Sequence, residues 1–230
     1  MHPAKLLDWR KALIYLHRWS GIVLTAVFVI WFVSGIVFVY VGMPTLAAEE
    51  RLQRLEPLDL RALAVSPAAA AERLKLPATP GRVRVAMLEG RPVYRFQSGP
   101  GWRTVYADSG EPLTAFGAER ALAVLRRYVP EYAATLRYET RLEDADQWTL
   151  QGVIRSNMPM HRIALDDAAG TEYYLSERTG EPVLRTTASG RFWGYLGAVL
   201  HWLYFTPLRR RPHPLVTAGR PVPGLACDRK

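Results

Sequence analysis

The stretch LHRWSGIVLTAVFVIWFVSGIVFVYVGMPTLAA, residues 16–48, decides how the rest of the chain is read. No charged residue occurs from position 19 to position 48, and Ile22 to Val41 is almost wholly apolar. A hydrocarbon core of ~30 Å is crossed by ~20 apolar helical residues, so the stretch predicts a membrane helix over residues 20–42, with length left for tilt. Trp19 and Tyr40 stand where amphipathic interface anchors belong. A buried helix of a soluble protein is the bland alternative, but a helix this long would then show a polar face.

The flanks set the orientation. Lys5, Arg10, Lys11 and Arg18 precede the span against Asp8, and Glu49, Glu50, Arg51 and Arg54 follow it. The positive excess on the short N-terminal side places that side in the cytoplasm and residues 49–190 outside it. A cleaved signal peptide competes with this reading, because Leu46-Ala47-Ala48 offers small residues. The apolar stretch is about twice a usual signal core, which favours an anchor.

Composition sets further limits. The 230 residues leave room for the anchor and one or two small domains. The net charge is +9, but the basic residues are scattered, with small clusters at Arg126-Arg127 and Arg209-Arg210-Arg211. No basic stripe with interleaved aromatics is present, so nucleic acid is not an expected partner and the charge reads as solvated surface and membrane-proximal anchoring. The single cysteine, Cys227, forms no internal disulfide and no cysteine metal motif. There is no G-x-S-x-G and no H-E-x-x-H, and no serine has a convincing His–Asp context, so no hydrolytic residues are assigned.

Residues 1–19 read as a basic lead-in, helical from near Leu7. His17, at its end, shares a helical face with Gly21, Thr25, Phe28, Gly35 and Gly42. Small residues on one face admit a close approach, either by another helix or by a flat cofactor. His17 is therefore either an interfacial histidine beside a packing stripe or a haem ligand with glycine clearance.

Two units follow, at 43–113 and 114–187. Ser66-Pro67 opens a helix by N-cap and N1 chemistry. Strands are expected at Arg82–Glu89, Pro92–Gln97 and Trp102–Ala107, before Asp108-Ser109-Gly110-Glu111-Pro112. The second unit repeats the order, with a helix over Ala118–Tyr128. Its strands are expected at Arg137–Leu142, Gln147–Gln151, His161–Leu165 and Glu172–Ser176, before Thr179-Gly180-Glu181-Pro182. The Gly-Glu-Pro triplets lie 70 residues apart, each preceded by a tyrosine, Tyr106 or Tyr174. The helix starts are closer together, which places an insertion near Trp148–Pro159. The fold class expected is α+β: a membrane anchor, two helix-plus-antiparallel-sheet modules, and an interfacial helix at 188–208 that starts toward a second span. Residues 209–230 read as a disordered tail. His161 reads as a strand residue, and His2 and His213 lie in the tails.

A helix followed by an antiparallel meander ending in D-x-x-T/S-G-E resembles the PepSY module. The LHRWSG entry, Asp146-Gln147-Trp148-Thr149 and Leu200-His201-Trp202-Leu203-Tyr204 are similar to the PepSY-associated transmembrane family, over about residues 10–208. That resemblance implies a bacterial inner-membrane protein with a periplasmic domain, related to ferric-siderophore reductases in which membrane histidines hold haem b. His17 and His201 match the family's histidine motifs and are the candidate haem-iron ligands. His201 shares a face with Gly194 and Gly197. The implied partners are the lipid bilayer, further transmembrane helices or a second copy, a ferric chelate, and alternatively a periplasmic peptidase. After Leu208 the pattern stops, so the expectation is a C-terminally truncated relative. His17 and His201 are expected near opposite membrane faces, ~30 Å apart, so the chain alone is expected to bind haem poorly. The functions left open are a reductase component passing electrons to periplasmic ferric chelates, a non-enzymatic binding module, and a non-functional remnant.

Overall fold

The computed structural model describes residues 9–76, 80–99, 101–114 and 116–206. The first eight residues and the tail from 207 lie outside the described residues, and with them His2, His213, Cys227 and the disorder expected there.

Helix α1 runs unbroken from Trp9 to Tyr40. It is long and apolar enough to cross a membrane. Only Ser34 on it is buried, and its Oγ bonds back to the Trp31 carbonyl. Its large side chains face outward along nearly the whole length, from Trp9 to Tyr40. An exposed apolar surface of that size is what a helix shows when its solvent is lipid.

The remaining described chain is built on two antiparallel sheets. Strands β1 (Arg82–Leu88), β2 (Arg91–Ser98) and β3 (Gly101–Tyr106) form the first as a meander. Strands β4 (Arg137–Leu142), β5 (Met160–Ala164), β6 (Glu172–Ser176) and β7 (Pro182–Thr186) form the second. The fold is thus α+β with a long apolar N-terminal helix. Helix α2 (Ala48–Gln53) follows α1, and helix α3 (Pro67–Arg73) covers the first sheet. The Ser66 hydroxyl caps α3 by accepting from the Ala69 amide, and Ala70 seats it on Tyr94, Phe96 and Val105. Helix α4 (Ala118–Tyr128) packs Ala121, Leu125 and Tyr128 on Ile163, Tyr173 and Leu175 of the second sheet. Val124 of the same helix reaches Leu88, Val93 and Tyr106 of the first, so one helix serves both sheets.

The turns that close the units have matching geometry. The Gly110 amide donates to the Tyr106 carbonyl at 2.7 Å, and the Tyr106 amide to Glu111 at 2.8 Å. The Gly180 amide donates to Ser176 at 2.8 Å, and the Ser176 amide to Glu181 at 3.0 Å. Both glycines hold a positive φ, +78° and +65°, that a side chain disfavours. Val105 bridges to Pro112 as Leu175 pairs with Pro182. The residue equivalent to Tyr106 is therefore Ser176, not Tyr174. The tyrosine register read from the sequence is off by two, because Tyr106 itself closes its turn whereas Tyr174 lies in β6 two residues before the equivalent position.

Two further expectations are corrected. Residues 147–151 are not a strand. Asp146 Oδ1 accepts from the Trp148 and Thr149 amides and from the Thr149 hydroxyl, and this local turn takes the backbone donors a ladder would need. The fourth strand is β7 instead, entered through Pro182, where a missing N–H is tolerated at a strand's first residue. The extra residues of the second unit lie between β4 and β5 and contain the short helix α5 (Gly152–Arg155).

Tyr128, Tyr173 and Tyr174 give the sheet unit a pH limit. Burial, more than any neighbouring charge, pushes all three phenols up, Tyr128 to about 12. An acid raised in the folded state ionises first in the unfolded chain, so stability is lost as pH climbs above the ordinary phenol value of 10.0. Alkaline titration should show the last tyrosinate absorbance appearing together with loss of the near-ultraviolet circular dichroism. Complete ionisation near pH 10 (the ordinary value) with the dichroism intact would contradict this.

Candidate functional site

The site begins in the middle of α1, where Trp31, Gly35 and Phe38 fall on one helical face. A second helix meets that face. Helix α6 (Ala188–Gly194) is capped by the Thr187 hydroxyl accepting from the Gly190 amide, and it continues through a π-helical turn, Tyr195–Val199, to His201. A Cβ on Gly194 would come 3.3 Å from Pro44 Cδ, and one on Gly197 would come 3.1 Å from the Phe38 backbone. The two glycines let α6 and its continuation run back along α1, in the opposite direction, in close backbone contact. The segment therefore packs along the C-terminal part of α1. The glycines that looked like clearance for a ring beside His201 are occupied by α1 itself.

His201 fills the place a side chain at Gly35 would take; a Cβ there would lie 3.0 Å from its Cε1. Its imidazole stacks on Trp31 at 4.9 Å and 13°, and on Phe38 at 5.7 Å and 19°. Nδ1 lies 3.1 Å from the Trp31 carbonyl. A carbonyl only accepts, so Nδ1 carries the proton and Nε2 carries the lone pair. Nε2 has no hydrogen-bond partner among the described residues. The ring borders an apolar cleft of ≈ 350 Å³ with Phe32, Ile36 and Val39. An imidazole fixed through Nδ1 to a backbone carbonyl, with Nε2 free, is oriented as a metal-ligating histidine usually is. Nε2 is thus the nitrogen of this imidazole that could hold a metal ion.

His17 is elsewhere. It lies on the open surface of α1, and nothing approaches within 4 Å of where a Cβ on Gly21 would be. Eighteen helical residues separate it from Gly35, roughly 27 Å at 1.5 Å per residue. The two candidate ligands are not brought together, and among the described residues no cluster of three metal-ligating side chains occurs.

His161 is a strand residue of β5 with both nitrogens engaged. Nε2 donates to the Phe116 carbonyl at 2.8 Å, and Nδ1 accepts from the Tyr138 hydroxyl at 3.0 Å.

The Asp146-Gln147-Trp148-Thr149 stretch has a structural task that its spacing does not reveal. Gln147 Nε2 donates to the Tyr204 carbonyl at 2.6 Å, and its Oε1 accepts from the Thr206 amide and hydroxyl. The Trp148 ring comes within 3.5 Å of a Cβ built on Gly194. Asp146 Oδ2 accepts from Tyr174 at 3.1 Å, which ties the turn to β6. The second sheet thereby grips both ends of the returning helix. Compared with known proteins, the chain matches no family model, no curated protein and no solved structure.

Proposed function

We propose that this chain is a bacterial inner-membrane protein of PepSY type, held by α1 with its N-terminus in the cytoplasm. Its two sheets lie on the periplasmic side. It serves as a component of a haem-bearing membrane reductase that passes electrons to periplasmic ferric chelates. The observation that carries this reading is His201: Nδ1 is committed to the Trp31 carbonyl and Nε2 is left without a partner beside an apolar cleft. When bound, a haem b there would supply one-electron transfer. The chain's own part is to orient the imidazole, hold its Nδ1 proton and exclude water with Trp31 and Phe38.

A second histidine to hold the group would have to come from another helix, of a partner or a second copy, because His17 is roughly 27 Å away along α1. Haem added to the full-length chain in detergent should therefore bind weakly, with a five-coordinate spectrum that disappears in His201→Ala and survives in His17→Ala. A signal indifferent to His201→Ala, or no signal at all, would overturn the assignment. A second reading, a non-enzymatic membrane-anchored module that binds a periplasmic partner such as a peptidase, is favoured by one observation. The described residues bring no second histidine to His201.

The orientation has its own test. The Arg61 side chain is 94% exposed, and the chain has one native cysteine. Arg61→Cys in a Cys227→Ser background should react with a membrane-impermeant maleimide in spheroplasts before lysis. Reaction only after lysis would reverse the topology.

A further inference from the structure

We propose that the crevice between the two sheets is a binding site for a small organic or inorganic anion carrying two or more oxyanionic groups, held by Arg82, Arg84 and Arg155. The inference stands apart from the haem reading and uses none of its residues.

Register places the arginines. Arg82 pairs across to Gln97 and on to Trp102, and Arg84 to Arg95 and on to Thr104. These side chains share one face of the first sheet, opposite the face that α3 covers. The polar face meets the second unit through Arg95, whose Nε donates to the Thr179 carbonyl, and through Thr104, whose hydroxyl donates to Arg178. Beside that contact the surfaces part. Two cavities open there, of ≈ 620 Å³ and ≈ 510 Å³, and both are lined by Trp102, Gly152 and Ser156. They lie side by side across that shared wall, with Arg82 and Arg84 lining the first and Arg155 the second, and each is of the size that small ligands occupy.

Its charge is unbalanced. Glu181 is the one carboxylate lining the crevice among the described residues. That carboxylate already serves Arg95 at 2.7 Å, Arg84 at 3.1 Å and Arg51 at 3.7 Å. The Arg82 and Arg155 guanidinium groups have no hydrogen bond or ion pair among the described residues. The Arg84 guanidinium lies 4.1 Å over the Trp102 ring, which holds it in place, yet its buried Nε has no acceptor. Buried polar groups without partners are rare in folded chains and mark places where something else completes the bonding. A walled crevice of one charge sign also concentrates the opposite charge. A monovalent anion would leave most of this field uncompensated. A long acidic chain would not need the wall that Trp102 makes. A compact multivalent oxyanion, with carboxylate or phosphate oxygens, fits both features.

The test is calorimetric titration of the full chain in uncharged detergent at low salt, with citrate, pyrophosphate, acetate and hexaglutamate. Citrate or pyrophosphate should bind at one per chain, and which is tighter reads the anion as carboxylate or phosphate. Acetate should not saturate the site. Arg82→Gln with Arg155→Gln should weaken binding at least about tenfold, with the unligated melting curve unchanged, because neither guanidinium has a partner to lose. Binding unaffected by the double variant, failure of both multivalent anions to bind, or binding of hexaglutamate alone would overturn the proposal.

Discussion

Glu181→Ala is expected to destabilise the two-sheet unit by about 3–5 kcal/mol, since it leaves a buried charge without its counter-ion. Arg95 is 2% exposed and Glu181 4% exposed, and their contact of 2.7 Å joins β2 of the first sheet to the turn before β7 of the second. Burial pulls the Arg95 guanidinium below its ordinary value, and Glu181 opposes that pull. With the carboxylate gone, Arg95, Arg84 and Arg51 face one another with nothing between them. Chemical denaturation of the full chain in detergent measures the loss. Arg95→Met with Glu181→Leu should recover much of it, because an apolar pair removes both the charge and the desolvation. The half-exposed pair Arg91–Asp108, bidentate at 2.7 and 2.8 Å, provides the contrast: Asp108→Asn should cost no more than about 1 kcal/mol. Equal losses at the two sites would show that the buried pair does not hold the sheets together.

Gly180→Ala should be the second large effect, on the order of 3 kcal/mol, and clearly larger than Gly110→Ala. Both glycines sit at positive φ, where a Cβ costs roughly 1–2 kcal/mol. What differs is the surroundings. A Cβ at Gly180 would lie 2.9 Å from both Leu88 methyls and 3.1 Å from Phe116, which are packed in the core. Overpacking of a core adds roughly 1–3 kcal/mol. A Cβ at Gly110 would meet only the end of the Arg73 side chain, which can swing into solvent. Equal costs from the same denaturation curves would mean that backbone conformation alone sets the requirement for glycine at both turns.

Features that depend on local chemistry, or on the solvent of one segment, were legible along the chain. An uncharged run from 19 to 48 has one way to satisfy its backbone in an apolar medium, so α1 was legible without any partner. Helix α4 matches its expected bounds of Ala118–Tyr128, and α3 has its expected cap, because capping and periodicity act over one turn. The meander of the first unit was equally readable from alternation and turn residues. At 147–151 the local reading failed, because a single aspartate side chain captured the amides of a strand-like sequence.

Which histidine meets a second element was settled by tertiary packing. His17 and His201 carry the same kind of motif, yet only His201 meets a second element, because the glycines at 194 and 197 let its helix close onto α1. No spacing rule could place Nδ1 on the Trp31 carbonyl, since the partners lie 170 residues apart. The same holds for Arg95 and Glu181, 86 residues apart, and for the arginines around the inter-sheet crevice. Strand register aligns Arg82 and Arg84, but they border a cavity with residues 152–157 only after the two units dock. Pairing between distant charges is set by which surfaces bury together, and that is a property of the folded chain rather than of any window along it.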